Sequence, residues 1–243
     1  MIIRLDEVDS TNNYIKSHLA EMSDGDAVTA QRQTAGRGRQ GHSWADDGGM
    51  LPLSMLLRDP CDIETLTARV GLGVCNAVES FYMTSESPIK VMIKWPNDII
   101  VDYHKVCGIL CESVRFGDFV NVIIGIGVNI SQSSEYFREQ GLTNAGSLSE
   151  LLGNAPDKNE LLERIIEKVR EYAAKPFSEC CDEFKSRLIN LGRRVRIIGG
   201  DGSERLAAAE DVAANGYLIC RDENGVFEVS SGEVSVRGEN GYI

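Results

Sequence analysis

The apolar positions along the chain recur with two periods, and the changes of period mark its elements. Residues 2–5 read as a short strand, after which Asp9 or Ser10 caps a helix with Tyr14, Ile15, Leu19 and Met22 at helical spacing. Residues 27–31 and 50–57 return to strands. Between them, 34–49 are rich in glycine and almost free of apolar side chains, which predicts a long exposed loop. Over 63–83, Leu66, Val70, Val74, Val78 and Phe81 share one helical face. Strands follow at 89–94, 99–101, 106–114 and 119–130, joined by connections so short that neighbours should be antiparallel. Asp157, with Glu160 three residues on, resembles a capping box and opens a helix through Leu161, Ile165, Val169 and Tyr172. Pro176 interrupts it, and a last helix runs to about residue 190.

From 193 to 236 the pattern is short strands only, with turn chemistry at Gly199-Gly200-Asp201-Gly202, Asn215-Gly216 and Asn224-Gly225. The expected architecture is an α+β domain over 1–190, built on a mixed, largely antiparallel sheet with helices, and a small C-terminal β-barrel over 191–243.

Composition narrows the function classes. Of the 243 residues, 42% are apolar and 26% charged, as in a soluble globular protein, and no apolar run is long enough to span a bilayer. Arg4, Asp6 and Glu7 break the N-terminus, so no secretory signal is read there and a cytoplasmic location is expected. The net charge of −12 argues against duplex DNA as the main partner, because such binding relies on Lys and Arg to displace counterions. The seven cysteines are an odd number without a Cys-x-x-Cys pair and read as reduced thiols. Cys107 and Cys111, with His104 nearby, read better as one face of an apolar strand than as a metal cluster, so no fixed metal site is expected.

One segment reverses the local charge. Residues 31–44 carry Arg32, Arg37, Arg39 and His42 among glycines and no acid. Glycines let backbone N–H groups approach a ligand, and arginines neutralise phosphate or carboxylate. On its own the segment is equally readable as a solvated basic loop, for instance facing RNA. It is not a P-loop, since G-x-x-x-x-G-K-[ST] is missing. Three weaker signals accompany it. Lys94-Trp95-Pro96-Asn97-Asp98 is good turn chemistry that also brings a lysine, an amide and a carboxylate together. Lys105 opens an apolar strand that Gly108 interrupts, and Gly125 and Gly127 interrupt another that ends in Asn129.

Taken in order and spacing, five motifs resemble the biotin–protein ligase family: Asp9-Ser10-Thr11-Asn12, Gly36-Arg37-Gly38-Arg39-x-Gly41 with Trp44, Lys94-Trp95-Pro96-Asn97-Asp98, Lys105-x-x-Gly108-Ile109-Leu110, and Gly125-x-Gly127-x-Asn129. The resemblance covers the whole chain. It implies a ligase that activates biotin with ATP and Mg²⁺ and passes it to a lysine of a biotin carboxyl carrier protein or domain, with an SH3-like C-terminal barrel. It places Ser10, Thr11, Asn12 and Gln33 at the ureido end of biotin, where buried donors and acceptors need polar partners. It places Arg37, Gly38 and Arg39 in a ligand-ordered loop over biotin and the phosphates. Lys105 falls at the reacting carboxylate and α-phosphate, Lys94, Asn97 and Asp98 at the reaction centre, and Trp44 and Asn129 on the adenylate side. Gly108 lets its strand approach the ligand.

Two positions depart from the family pattern: His42 stands where many relatives carry arginine, and Pro52 where an aromatic is usual. Met1 falls just before the ligand-binding domain, leaving no room for the N-terminal helix-turn-helix of some relatives. No specific DNA and no membrane are therefore expected; the oligomeric state is left open, with a homodimer as a candidate. Among rivals, a lipoate–protein ligase shares fold and chemistry, but Arg37-Gly38-Arg39 and the ureido-matching residues favour biotin. A non-catalytic biotin sensor need not keep Lys94, Asp98 and Lys105. An RNA module would interleave aromatics with its basic residues.

Overall fold

The computed structural model describes residues 1–41, 43–44, 46–82, 89–232 and 234–243. His42, one of the two departures, and the expected helix end at Met83 lie outside them. Strands β1 (Ile2–Val8), β2 (Ala27–Gln33), β5 (Met50–Leu57), β6 (Met92–Lys94), β7 (Asp98–Val101), β8 (His104–Phe116) and β9 (Phe119–Asn129) form one sheet in the order β1-β2-β5-β9-β8-β7-β6. Only β1 and β2 are parallel; every other neighbour is antiparallel, as the short connections require for β6 to β9.

Side-chain alternation divides this sheet between two cores. Ala27, Met55 and Ile124 face a large core closed by helices α2 (Ile63–Tyr82), α5 (Lys158–Ala173) and α6 (Phe177–Arg187). The adjacent residues Val28, Leu56 and Ile123 face the opposite side, where Ile15 of α1 (Thr11–Ser17), Leu19 and Met22 cover them. Helix α1 is shorter than its apolar spacing suggests, and Leu19 and Met22 pack from the turns beyond it. Ser10 is its N-cap by backbone conformation, but its hydroxyl makes no capping bond. At α5 the expected cap is present: Asp157 accepts from the amides of Asn159 and Glu160.

Helices α2 and α5 pack closely at Gly73, where a Cβ would fall 2.9 Å from the Val169 backbone. Backbone cannot rotate away, so Gly73→Ala should cost about 1–3 kcal/mol of overpacking, partly offset by better helix propensity. Thermal unfolding is expected to fall by a few degrees. Gly71→Ala meets only side-chain atoms at 3.4 Å or more, and should leave the midpoint unchanged or raise it.

Two short helices, α3 (Ser134–Glu139) and α4 (Leu148–Leu152), follow β9 and were invisible to the sequence pattern, since neither spans two full apolar repeats. The segment expected to be a long exposed loop is instead a small hairpin: β3 (Gly36–Arg37) pairs with β4 (Ser43–Trp44) around a 3₁₀ turn. Side chain–backbone bonds substitute for an apolar core there, with Asp46 accepting from the Gln33 amide at 2.7 Å and from the Gly48 amide at 2.7 Å.

The C-terminal part is a five-stranded antiparallel sheet, β13-β12-β11-β10-β14, from β10 (Arg194–Ile198), β11 (Glu204–Val212), β12 (Leu218–Asp222), β13 (Gly225–Val229) and β14 (Ser235–Gly238). It stands where the small barrel was expected and is compatible with it, although β13 and β14 are its edges and no ladder joins them among the described residues. It is fastened to the first part through Trp95, whose indole N–H donates to the Gly216 carbonyl at 3.1 Å. The Lys185–Asp211 ion pair at 2.7 Å adds a second tie. No helix among the described residues is long and apolar enough to cross a membrane.

Candidate active site

A cleft of about 410 Å³ opens where β5, β8 and β9 meet the hairpin β3–β4 and the end of the chain. Every site residue expected from the sequence lines it except Lys94, which lies just behind. The glycines explain why there is space. Gly108 and Gly127 are partners across β8 and β9, and the Trp44 ring rests on both. A Cβ at Gly108 would lie 2.6 Å from that ring, and one at Gly127 2.9 Å. The close approach expected at Gly108 is thus made by Trp44 itself. Its indole nitrogen is buried with no hydrogen-bond partner.

Pro52 sits in β5 opposite Gly127, in a central strand where proline is rare. The ladder from β2 stops one residue earlier, at Leu53, so no bond to β2 is lost by the missing N–H. The Pro52 carbonyl is taken by the Thr29 hydroxyl at 2.6 Å.

One end of the cleft is a buried polar network. The Thr11 amide donates to Gln33 Oε1 at 2.9 Å, the Thr11 hydroxyl to the same oxygen at 3.1 Å, and the Ser54 hydroxyl to Thr11 Oγ1 at 2.7 Å. Asn12 Nδ2 donates to Glu112 Oε2 at 2.8 Å, and Glu112 also holds Lys16 at 2.8 Å and Arg37 at 3.1 Å. Burial works to raise the Glu112 carboxyl, but the bonds from Lys16 and Asn12 outweigh it and hold it low. Ser54 and Glu112 received no role from the sequence: one stands in the apolar strand β5 and the other within β8, just past its apolar run.

The other end concentrates charge. Asp98 is buried, with Oδ1 at 2.6 Å from Lys105 Nζ and Oδ2 at 3.9 Å from Lys94 Nζ. Oδ2 also accepts a 2.7 Å hydrogen bond from the Tyr242 hydroxyl. Burial alone would raise the Asp98 carboxyl; the charges of Lys105 and Lys94 and the hydrogen bonds from Lys105 and Tyr242 prevail, and it is held below the usual carboxylate range. Burial pushes Lys94 down to about 8, against the pull of Asp98. Lys94 lies against the Tyr242 ring, 4.2 Å from its centre.

Arg39 stands at the entrance. Its Nη1 donates to Asn97 Oδ1 at 3.0 Å, and its Nη2 reaches the carbonyls of Ser231, Gly232 (2.9 Å) and Val234 (3.3 Å). Asn97 Nδ2 donates back to the Ile109 carbonyl at 2.9 Å, fixing the turn on β8. Asn129 is buried and donates to the Gly146 and Lys105 carbonyls, which holds the 141–146 segment as a side wall. That wall, and Ser235, Arg237 and Tyr242 from the C-terminal part, were not expected from the sequence.

The arrangement suits a ligand with a polar head, an apolar middle and an anionic, reactive end. Residues 5–129 match the biotin/lipoate A/B protein ligase family, and residues 191–237 the biotin protein ligase C-terminal domain. The bifunctional ligase/repressor BirA of Salmonella typhimurium is 31% identical over 238 residues, covering 95% of this chain and 72% of its own length. A biotin–[acetyl-CoA-carboxylase] ligase of Mycobacterium tuberculosis is 30% identical, covering 93% and 85%. The solved structure of the Aquifex aeolicus biotin protein ligase in complex with biotin and ATP superposes with a TM-score of 0.83 at 31% identity, covering 98% and 99%.

Proposed function

The chain belongs to the biotin/lipoate A/B protein ligase family, and we propose that it is an ATP-dependent biotin–protein ligase that forms biotinyl-5'-AMP in this cleft and passes the biotinyl group to a lysine of a biotin carboxyl carrier protein or domain. The observation that carries this reading is the pairing of two lysines on one buried carboxylate at the end of the cleft opposite the polar network. Residues 1–190 would carry both ligands, and 191–243 would close the reaction centre.

The chemistry requires two anions to meet, since the biotin carboxylate attacks the α-phosphorus of ATP. At ~4 Å and an effective dielectric of ~20, each unit repulsion is about 4 kcal/mol. Lys105, Lys94, Arg37 and Arg39 offset it, and Lys105 is the reachable one of the lysine pair, with its side chain 26% exposed against 7% for Lys94. Ser10, Thr11, Asn12 and Gln33 satisfy the ureido group, whose donors and acceptor cost free energy if buried unpaired. Trp44, Asn97 and Asn129 border the nucleotide. Asp98, held low, ion-paired to Lys105 through Oδ1 and hydrogen-bonded by Tyr242 at Oδ2, is a poor proton acceptor, so its part is to orient the lysines and the incoming amine.

Magnesium fits this chain as a companion of the nucleotide. Among the described residues no three His, Cys, Asp or Glu groups cluster as ligands, and Asp98 is already engaged. Bound to the triphosphate, the ion would neutralise charge on the departing pyrophosphate.

A substitution at Gly125 separates the two ligands. A Cβ there would fall 2.6 Å from Asn12 Oδ1, so Gly125→Ala should displace Asn12 and weaken biotin binding several-fold while leaving ATP binding close to parent, as read by calorimetry. The reading as a whole is tested by supplying ATP with labelled biotin or labelled lipoate. Biotinyl-adenylate alone is expected; lipoyl-adenylate alone would move the chain to the other branch of the family.

A further inference from the structure

We propose that Tyr242, the penultimate residue, is a positioning residue for adenylate formation: the C-terminal tail brings its hydroxyl to Asp98 and its ring over Lys94, completing the reaction centre from the far end of the chain. This rests on the biotin-ligase reading above.

The hydroxyl of a half-buried tyrosine needs an acceptor, and any nearby carbonyl would serve. Here the acceptor is the one carboxylate that also holds Lys105 and faces Lys94, across 144 positions of sequence. With Lys105 on Oδ1 and Tyr242 on Oδ2, the carboxylate cannot turn about its Cβ–Cγ bond without breaking a charge-assisted contact. Lys105 is thereby held at one place on the cleft wall. The tyrosine ring covers Lys94 and keeps water from it; around that ammonium stand Asp98, Lys105, Arg237 and Arg39, and only the first is an anion.

The tail is built to arrive there. After β14 it turns back on itself, with the Gly241 amide donating to the Gly238 carbonyl at 3.3 Å and the Gly238 amide to the Tyr242 carbonyl at 3.4 Å. Arg196 donates to the Glu239 carbonyl at 2.7 Å and Arg194 pairs with the Glu239 side chain at 3.3 Å, fixing the turn from β10. Gly238 has no room for a side chain: a Cβ would press on the backbone of Ile243, at the end of the tail.

Three variants of the full protein separate the contributions. Tyr242→Phe removes the hydroxyl and keeps the ring. A chain ending at Gly241 removes both. Gly238→Ala leaves the tyrosine intact and displaces the tail. Each is assayed for biotin-dependent exchange of labelled pyrophosphate into ATP between about pH 6 and 10, the range that brackets the Lys94 titration, with the thermal midpoint recorded. Lys94 is charged below about 8, so the parent should lose activity above that pH. Tyr242→Phe should lower kcat several-fold with the alkaline limb in place. The truncated chain and Gly238→Ala should lower kcat and move the limb upward by about one unit, because water returns to Lys94 and burial was the cause of its depression. Parent-like kcat in Tyr242→Phe, or superimposable pH profiles in all four proteins, overturns the proposal, the latter leaving the tail a purely structural role. A parent chain with no biotin-dependent exchange would instead remove the ligase reading itself.

Discussion

Lys105→Ala is expected to lower biotinyl-AMP synthesis by about two orders of magnitude while the fold survives, the scale seen when one charge-stabilising donor is removed from a reaction centre. Lys105 is the exposed member of the lysine pair, so it is the cation an anionic ligand meets first. Its loss also leaves Asp98 Oδ1 without its 2.6 Å partner, adding a buried and poorly compensated charge beside the reacting groups. Lys94 and the Tyr242 hydroxyl still face Oδ2, and the strand β8 keeps its ladders to β7 and β9, which is why folding should persist. Circular dichroism and the thermal midpoint check the fold, and quantitation of the adenylate checks the chemistry. Synthesis near the parent rate would remove Lys105 from the reaction.

The second large effect concerns retention of the intermediate. Arg39→Gly should still make adenylate but release it. Arg39 lines the cleft at its entrance and ties the hairpin β3–β4 to Asn97 and to the carbonyls of Ser231, Gly232 and Val234. Burial works to lower its pKa, and the charge of Asp98 offsets part of that, so the guanidinium is costly to leave unbonded. Glycine deletes four contacts and adds unfolded-state entropy to a segment that has little apolar surface of its own. Both changes favour an open hairpin, from which a mixed anhydride can diffuse and acylate lysines at random. Incubating variant and parent with ATP, biotin and an unrelated lysine-rich protein should give increased off-target biotinylation with the variant. Adenylate produced without such an increase would mean that the clamp does not retain the intermediate.

How much of this was legible in the sequence follows from how far each signal extends along the chain. Strands β5, β8 and β9 and helices α2 and α5 are long enough for several apolar repeats and were legible, and the expected site residues other than Lys94 line one cleft in the structure. Lys94 is buried behind Asp98 because its strand β6 has only three residues, too few to show which face it turns inward. The hairpin was misread as an exposed loop because its order comes from one aromatic, Trp44, and from Asp46 bonding to backbone, neither of which has a period. Tyr242 and the carbonyls that hold Arg39 were out of reach for a different reason. They lie far from their partners in sequence, and a carbonyl carries no residue identity at all. The small C-terminal β-unit was legible from its turn chemistry, which predicts hairpins; whether its edge strands meet is a matter of register that turns do not specify.

One cleft is expected to run both half-reactions, forming biotinyl-AMP and then passing the biotinyl group to one acceptor lysine. The direct test is the intact mass of a purified biotin carboxyl carrier domain after incubation with the protein, ATP, magnesium and biotin, followed by peptide mapping. The account predicts a gain of one biotinyl group on a single lysine, dependent on ATP and lost with Lys105→Ala. An unmodified carrier in a reaction that accumulates biotinyl-AMP, or biotin spread over many carrier lysines by the parent protein, would contradict it.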